Sequence, residues 1–274
     1  MRLSGTVYSN VLEMDTPISI VTPNNLTKDE PYKVAYILHG LRGNSSSWLD
    51  YSMLPVYAMG SNTIFILPDA GRSIYTDMKH GFRYFTYITE ELPQICRSVF
   101  NISADRENTA VMGASMGGYG ALKCALAKPE QYGLCCAFSS GCLFVKNDLA
   151  LMKEHGPEAA AQVWGPQLAN DIPSVFGDDL EWKPEYELTE LARAAKQKGI
   201  LPQIYMTCGT DDKFYSDHIR FTKNLTKSAL TTPLSIGKRG TTSSALTKRS
   251  KGQSLNTGCN DKWKCKRSRS KQKK

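Results

Sequence analysis

Apolar residues in the first 230 positions fall into short runs whose spacing alternates between strand and helix periods. "TPISIVTP", residues 16–23, alternates apolar and polar positions and predicts an early antiparallel strand. "KVAYILHG", "NTIFILPD", "NTAVMGAS", "GLCCAFSS" and "PQIYMTCGT" are instead continuous apolar runs that end in Gly, Ser, Asp or Thr. Runs of that kind predict parallel strands buried on both faces, with loops at their carboxyl ends. Helical spacing fills the gaps. "FRYFTYITEELPQICRSVF" is amphipathic with a kink expected at Pro93, and "MGGYGALKCALAKP" stops at Pro129. "PEYELTELARAAKQKG" ends on Gly199 as a C-cap, and "SDHIRFTKNLTKSA" starts on Ser216 or Asp217 as an N-cap. Strand–helix alternation implies an α/β fold with a mostly parallel, doubly wound sheet and helices on both faces.

Residues 1–230 read as one domain, in which positions 142–184 break the rhythm and are expected to cap the upper edge of the sheet. From 231 to 274 the chain is rich in Ser, Thr, Lys and Gly without usable periodicity, and it is expected to be a basic, disordered tail. The formal net charge of +8 belongs to that tail. Positions 238–274 hold 13 of the 34 Lys and Arg residues but only Asp261 among the 26 acids, so the body is mildly acidic. Clustered bases alone, with Trp263 the one aromatic among them, do not make a specific nucleic-acid motif. The eight cysteines show no metal-ligand spacing and read as buried reduced thiols. No apolar run reaches the length of a membrane span, and the first fifteen residues lack an apolar leader core, so a cytoplasmic location is expected.

The chemistry concentrates in "VMGASMGGYGALK", residues 111–123. Gly-x-Ser-x-Gly is weak by itself, but here a strand precedes it and a small-residue helix follows, as a nucleophile elbow requires. Gly113 and Gly117 flank Ser115 because a serine in a strained turn tolerates no bulk two positions away. Such a turn would bring the Met116 amide to a developing oxyanion. "YILHGLRGNSSSW" supplies a second donor, the Leu41 amide, with Gly40 allowing close approach. His39 reads as a structural histidine of that loop rather than a base.

"LHGLRGNSSSW", "LPDAGRSIYTDMKHGFRYFTYITEELPQICRSVF", "GASMGGYGALKCAL" and "CGTDDKFYSD" together resemble the esterase D group of α/β-hydrolases. Within it the chain is similar to tributyrin and acetyl esterases, relatives of S-formylglutathione hydrolases and feruloyl esterases. The resemblance covers residues 1 to about 228. It implies a serine carboxylesterase that takes small acyl esters through an acyl-enzyme and needs no cofactor or metal. Asp212 matches the family's triad acid, and Asp211 its variable neighbour. Trp48, Tyr75 and Tyr119 are expected to line the acyl or alcohol pocket.

The triad histidine is missing. It should follow Asp212 by some 25–35 residues, yet no histidine lies beyond His218, which stands six positions after Asp212. His80 and His155 match nothing catalytic. A change of reading frame near residue 230 would account for both the loss and the odd tail; the alternative is a natural basic extension that binds nucleic acid or anionic surfaces non-specifically. Read from the third base of each codon, the joins around Thr241 permit His-Asp, and Thr247–Ser254 permits an apolar helical pattern. A closing strand and helix are accordingly expected to be missing, with weak or no activity and poor solubility. The rival classes are a catalytically inactive binding protein on a hydrolase scaffold and an acyltransferase.

Overall fold

The computed structural model describes residues 1–25, 30–227 and 234–237. Eight strands form one sheet: β1 (Arg2–Ser9), β2 (Met14–Val21), β3 (Lys33–Leu38), β4 (Thr63–Pro68), β5 (Thr109–Ala114), β6 (Leu134–Phe138), β7 (Gln203–Gly209) and β8 (Leu234–Gly237). Their order across the sheet is β1-β2-β4-β3-β5-β6-β7-β8. The β1–β2 and β2–β4 pairs are antiparallel and every later pair is parallel.

The helices in chain order are α1 (Ser47–Asp50), α2 (Leu54–Met59), α3 (Tyr84–Thr86), α4 (Leu92–Val99), α5 (Met116–Ala127), α6 (Val145–Trp164), α7 (Pro166–Phe176), α8 (Leu188–Gln197) and α9 (Tyr215–Lys227). The central strands are apolar on both faces, as a covered parallel sheet demands. Val34, Tyr36, Leu38, Val111, Cys135 and Ala137 join the main core with residues of α5, α8 and α9. Their strand neighbours Ala35, Ile37, Leu67, Ala110 and Cys136 face the opposite side, where Trp48, Leu54 and Ala58 of the α1–α2 region pack.

Three local expectations acquire their physical form here. The kink at Pro93 is taken up by a π-turn, Tyr87–Glu91, which joins α3 to α4 and leaves Pro93 at the start of α4, where its missing N–H costs nothing. Gly199 follows α8 with φ 68°, the left-handed conformation of a helix stop. α9 begins at Tyr215, earlier than the N-cap reading of Ser216 or Asp217, because Asp212 already turns the chain: its Oδ1 accepts the Phe214 amide at 3.0 Å.

The final strand corrects an expectation. A strand after β7 is present: β8 pairs in parallel from Met206↔Leu234 to Gly209↔Gly237, so the sheet extends beyond residue 230. Very short strands are common at sheet edges, where they limit the unpaired backbone on offer. The closing helix, the basic tail and any frame change fall outside the described residues. The six described cysteines are reduced thiols, five of them buried. No helix among the described residues is long and apolar enough to cross a membrane.

A lysine sits inside the core. Lys123 of α5 is 3% exposed and donates to Thr76 Oγ1 at 2.8 Å. The rings of Phe85, Tyr186 and Tyr119 surround its ammonium at 5.0, 5.6 and 5.8 Å. Burial pushes its pKa down to about 8 from the ordinary 10.5, against the weaker opposing pull of Cys124, Asp77 and Glu185. The folded chain therefore binds fewer protons than the unfolded chain between those two values. The ammonium costs stability below pH 8, and the cost fades as pH rises through that window. Lys123→Met is expected to stabilise the fold at pH 7 by removing the buried charge, less the lost Thr76 hydrogen bond and ring contacts. The gain should shrink towards pH 10, as read by urea unfolding of both chains across that range.

Candidate active site

Ser115 lies between β5 and α5 with φ 57° and ψ −119°. A non-glycine residue rarely adopts that conformation, and here backbone hydrogen bonds over-determine it. Its amide donates to Phe138 O at 3.0 Å, while its carbonyl accepts from Gly118, Tyr119 and Gly141 at 3.0, 3.2 and 3.2 Å. The flanking glycines are sterically required. A Cβ at Gly113 would lie 2.3 Å from Gly117 O, and one at Gly117 would lie 2.2 Å from Leu38 O. Ser115 itself is half-buried.

The loop after β3 packs on this turn. A Cβ at Gly40 would sit 3.6 Å from Ser115 Cβ and 3.4 Å from Ala114 O, so glycine allows the close approach. The Gly40–Leu41 peptide is held through its carbonyl, which accepts from Gly43 N at 2.9 Å and from His39 Nδ1 at 2.8 Å. His39 Nε2 accepts the Ala70 amide at 3.0 Å, which leaves the imidazole hydrogen on Nδ1. Burial holds the His39 pKa below 6.5, and the ring stays neutral with both nitrogens engaged. His39 is a loop-shaping residue. Arg72 adds a further brace: Nη1 donates to Leu41 O at 3.3 Å, and Nε donates to Asp171 of α7 at 2.7 Å. Met116 opens α5, where first-turn amides have no acceptor inside their own helix.

Asp212 stands in the turn after β7 and is half-buried. Its Oδ2 accepts the Ser139 hydroxyl at 2.7 Å, and its Oδ1 the Phe214 amide. Asp211 is exposed and takes the Thr210 hydroxyl at 3.3 Å.

All four histidines of the chain lie in described residues, and each is engaged elsewhere. His80 faces Asp178 at 3.4 Å and His155 faces Glu154 at 3.9 Å, with both imidazoles about half exposed. His218 is fully buried, with Nε2 accepting the Ser140 amide at 2.7 Å. No imidazole is hydrogen-bonded to Ser115 or Asp212 among the described residues.

Two of the three expected pocket aromatics are corrected. Tyr75 and Tyr119 are 0% exposed. Tyr75 donates to His39 O at 2.9 Å, and its ring stands where a Cβ at Gly120 would be 2.4 Å away. Tyr119 donates to Tyr186 O at 2.7 Å. A phenol that ends on a buried carbonyl anchors backbone, and it has no surface to offer a ligand. Trp48 is half-buried, with its indole N–H on Leu38 O at 3.1 Å and its ring 6.2 Å from that of Phe138. Ser139 and Arg72 are site residues that the sequence motifs do not mark. The "FSS" that closes β6 was a signal for the first, since residues at strand carboxyl ends reach a site of this kind.

The family model described as Putative esterase matches residues 9–240. The chain belongs to this esterase family. It is 32% identical over 215 residues to an acetyl esterase of Caldicellulosiruptor saccharolyticus, covering 75% of this chain and 78% of that protein. It is 33% identical over 139 residues to the S-formylglutathione hydrolase of Mus musculus, covering 51% of this chain and 42% of the relative. Among solved structures, the fluorophosphonate-binding serine hydrolase FphF of Staphylococcus aureus shares the fold with a TM-score of 0.76. That likeness has 21% identity and spans 90% of this chain and 95% of the other. The S-formylglutathione hydrolase FrmB of the same organism has a TM-score of 0.71 at 22% identity, over 88% and 92% of the two chains. The reaction class of this esterase is carboxylic ester hydrolysis.

Proposed function

We propose that this esterase acts on small, short-chain acyl esters with Ser115 as its nucleophile. Ser115 Oγ adds to the acyl carbonyl carbon, and the Leu41 and Met116 amides hold the resulting oxyanion. The ester C–O bond then breaks, the alcohol leaves with a proton, and an acyl-serine remains. Water adds to that acyl group, the C–Oγ bond breaks, and the acid departs as Ser115 regains its hydrogen. Asp212 is the acid of the triad, placed to hold an imidazole that the described residues do not supply. With no imidazole to take the serine proton, solvent must take it, and both half-reactions slow.

The observation that carries this reading is Ser115 itself: a half-buried serine with φ 57° at a strand–helix turn, with Gly40 packed against it. The short acyl group is supported by the relationship to an acetyl esterase. A second reading, a binding protein that retains acyl esters without turning them over, is favoured by the engagement of all four histidines elsewhere.

Labelling with an alkyl fluorophosphonate, followed by peptide mass spectrometry, tests the assignment. A phosphonyl adduct on Ser115 is expected, forming slowly. An adduct on another serine, or none after prolonged exposure, overturns it.

A further inference from the structure

The segment Ser139–Cys142, which follows β6, touches both halves of the site. Ser139 Oγ bonds Asp212 Oδ2 at 2.7 Å, and the Gly141 amide bonds Ser115 O at 3.2 Å. The segment is strained, because Ser139 and Cys142 have φ of 42° and 54° without being glycine. Such a backbone persists only where its surroundings fix it. Two contacts fix its middle residue. Ser140 packs on the nucleophile helix so closely that a Cβ at Gly118 would lie 2.3 Å from Ser140 Oγ. The Ser140 amide ends on Nε2 of His218 at 2.7 Å.

His218 is placed for this contact. It occupies the first turns of α9 with its amide on Phe214 O at 3.0 Å, and its own carbonyl accepts the Thr222 hydroxyl at 2.8 Å. The turn that begins α9 is the one that carries Asp212. An imidazole accepting at Nε2 carries its hydrogen on Nδ1, and that buried Nδ1 has no hydrogen-bond partner among the described residues. A leucine would fill the space without leaving a donor unmet, so packing does not account for the ring. What the imidazole supplies is an acceptor for one backbone amide in the loop joining Ser115 to Asp212.

We infer that His218 is a positioning residue, which through the Ser140 amide holds the Ser139–Gly141 loop against Ser115 and Asp212; its catalytic consequence rests on the nucleophile assignment above. It is not the missing base, since its Nε2 is turned to a backbone N–H.

The test compares His218→Asn, whose amide oxygen can accept the same hydrogen bond, with His218→Leu, which cannot. The first readout is amide hydrogen exchange at Ser140 and Gly141. Leu is expected to speed it while Asn leaves it near the parent chain's rate. The second is the maximal rate of Ser115 phosphonylation, expected to fall by up to about 100-fold in Leu with unchanged probe affinity and to recover in Asn. Equal behaviour of Asn and Leu in both readouts, or parent-like exchange in Leu, overturns the inference. Nitrogen-15 NMR of the unmutated chain gives a third reading that survives an unfolded variant. His218 is expected in the Nδ1-protonated tautomer, and an Nε2-protonated ring overturns the inference. If the parent chain's Ser115 takes no label at all, the nucleophile assignment falls, and exchange together with the tautomer still decides the positioning role.

Discussion

Turnover of p-nitrophenyl acetate by this chain is expected to run about 10⁴–10⁶-fold below an ordinary esterase rate of about 10 s⁻¹. The reason is the missing proton acceptor. A serine hydroxyl near neutral pH is a weak nucleophile, and removing the imidazole from a Ser-His-Asp set leaves roughly 10³–10⁴-fold acceleration over water from the oxyanion hole and binding. The structure narrows the source of a substitute base. His39 has both ring nitrogens committed, and His218 has its Nε2 on a backbone amide. Burial lowers the pKa of each.

Most of the small remaining rate is expected to survive Ser115→Ala, because the oxyanion hole and binding supply it, and only a minor part is expected to depend on the serine. Imidazole added to the solution should raise the serine-dependent part, once hydrolysis by imidazole in the presence of Ser115→Ala is subtracted. Turnover at an ordinary esterase rate would show that another residue of the chain takes the proton.

The elbow was legible in the sequence because its demands are steric. Gly113, Gly117 and Gly118 each face an atom within 2.3 Å of where a side chain would begin, and only glycine meets that condition. The parallel strands were legible because a strand covered on both faces must be apolar at every position, as Ala35, Tyr36, Ile37 and Leu38 are. β8 was not, since a four-residue edge strand, "LSIG", has too few positions to set a period. Tyr75 and Tyr119 misled for a different reason. Their neighbourhood in the sequence is that of the site, but nothing in a sequence says which carbonyl a phenol will reach. His39 O and Tyr186 O lie 36 and 67 positions away. The Ser139–Asp212 contact was equally hidden, because it joins the ends of two strands that become neighbours only when the sheet forms.

Gly117→Ala is expected to be strongly destabilising. Its Cβ would lie 2.2 Å from Leu38 O and 2.7 Å from His39 O. Both are backbone atoms at the end of β3, a strand paired on each side by β4 and β5, so neither can swing aside as a flexible side chain would. Overpacking in a core that can adjust costs about 1–3 kcal/mol. Here relief requires parting the start of α5 from the sheet, and a loss above about 4 kcal/mol is expected, enough to deplete soluble protein.

Gly5→Ala is the matching control. That glycine sits on the edge strand β1 with nothing within 4 Å of its would-be Cβ. Its replacement should be neutral or slightly stabilising, since alanine loses less backbone freedom on folding. Urea unfolding of both variants reads the difference, and similar midpoints would mean that α5 does not rest on β3 as closely as described. The consequence reaches the chemistry. The contact that excludes a methyl at Gly117 also brings the His39–Leu41 loop against Ser115, so relaxing it to admit alanine would part the serine from the loop proposed to hold its oxyanion.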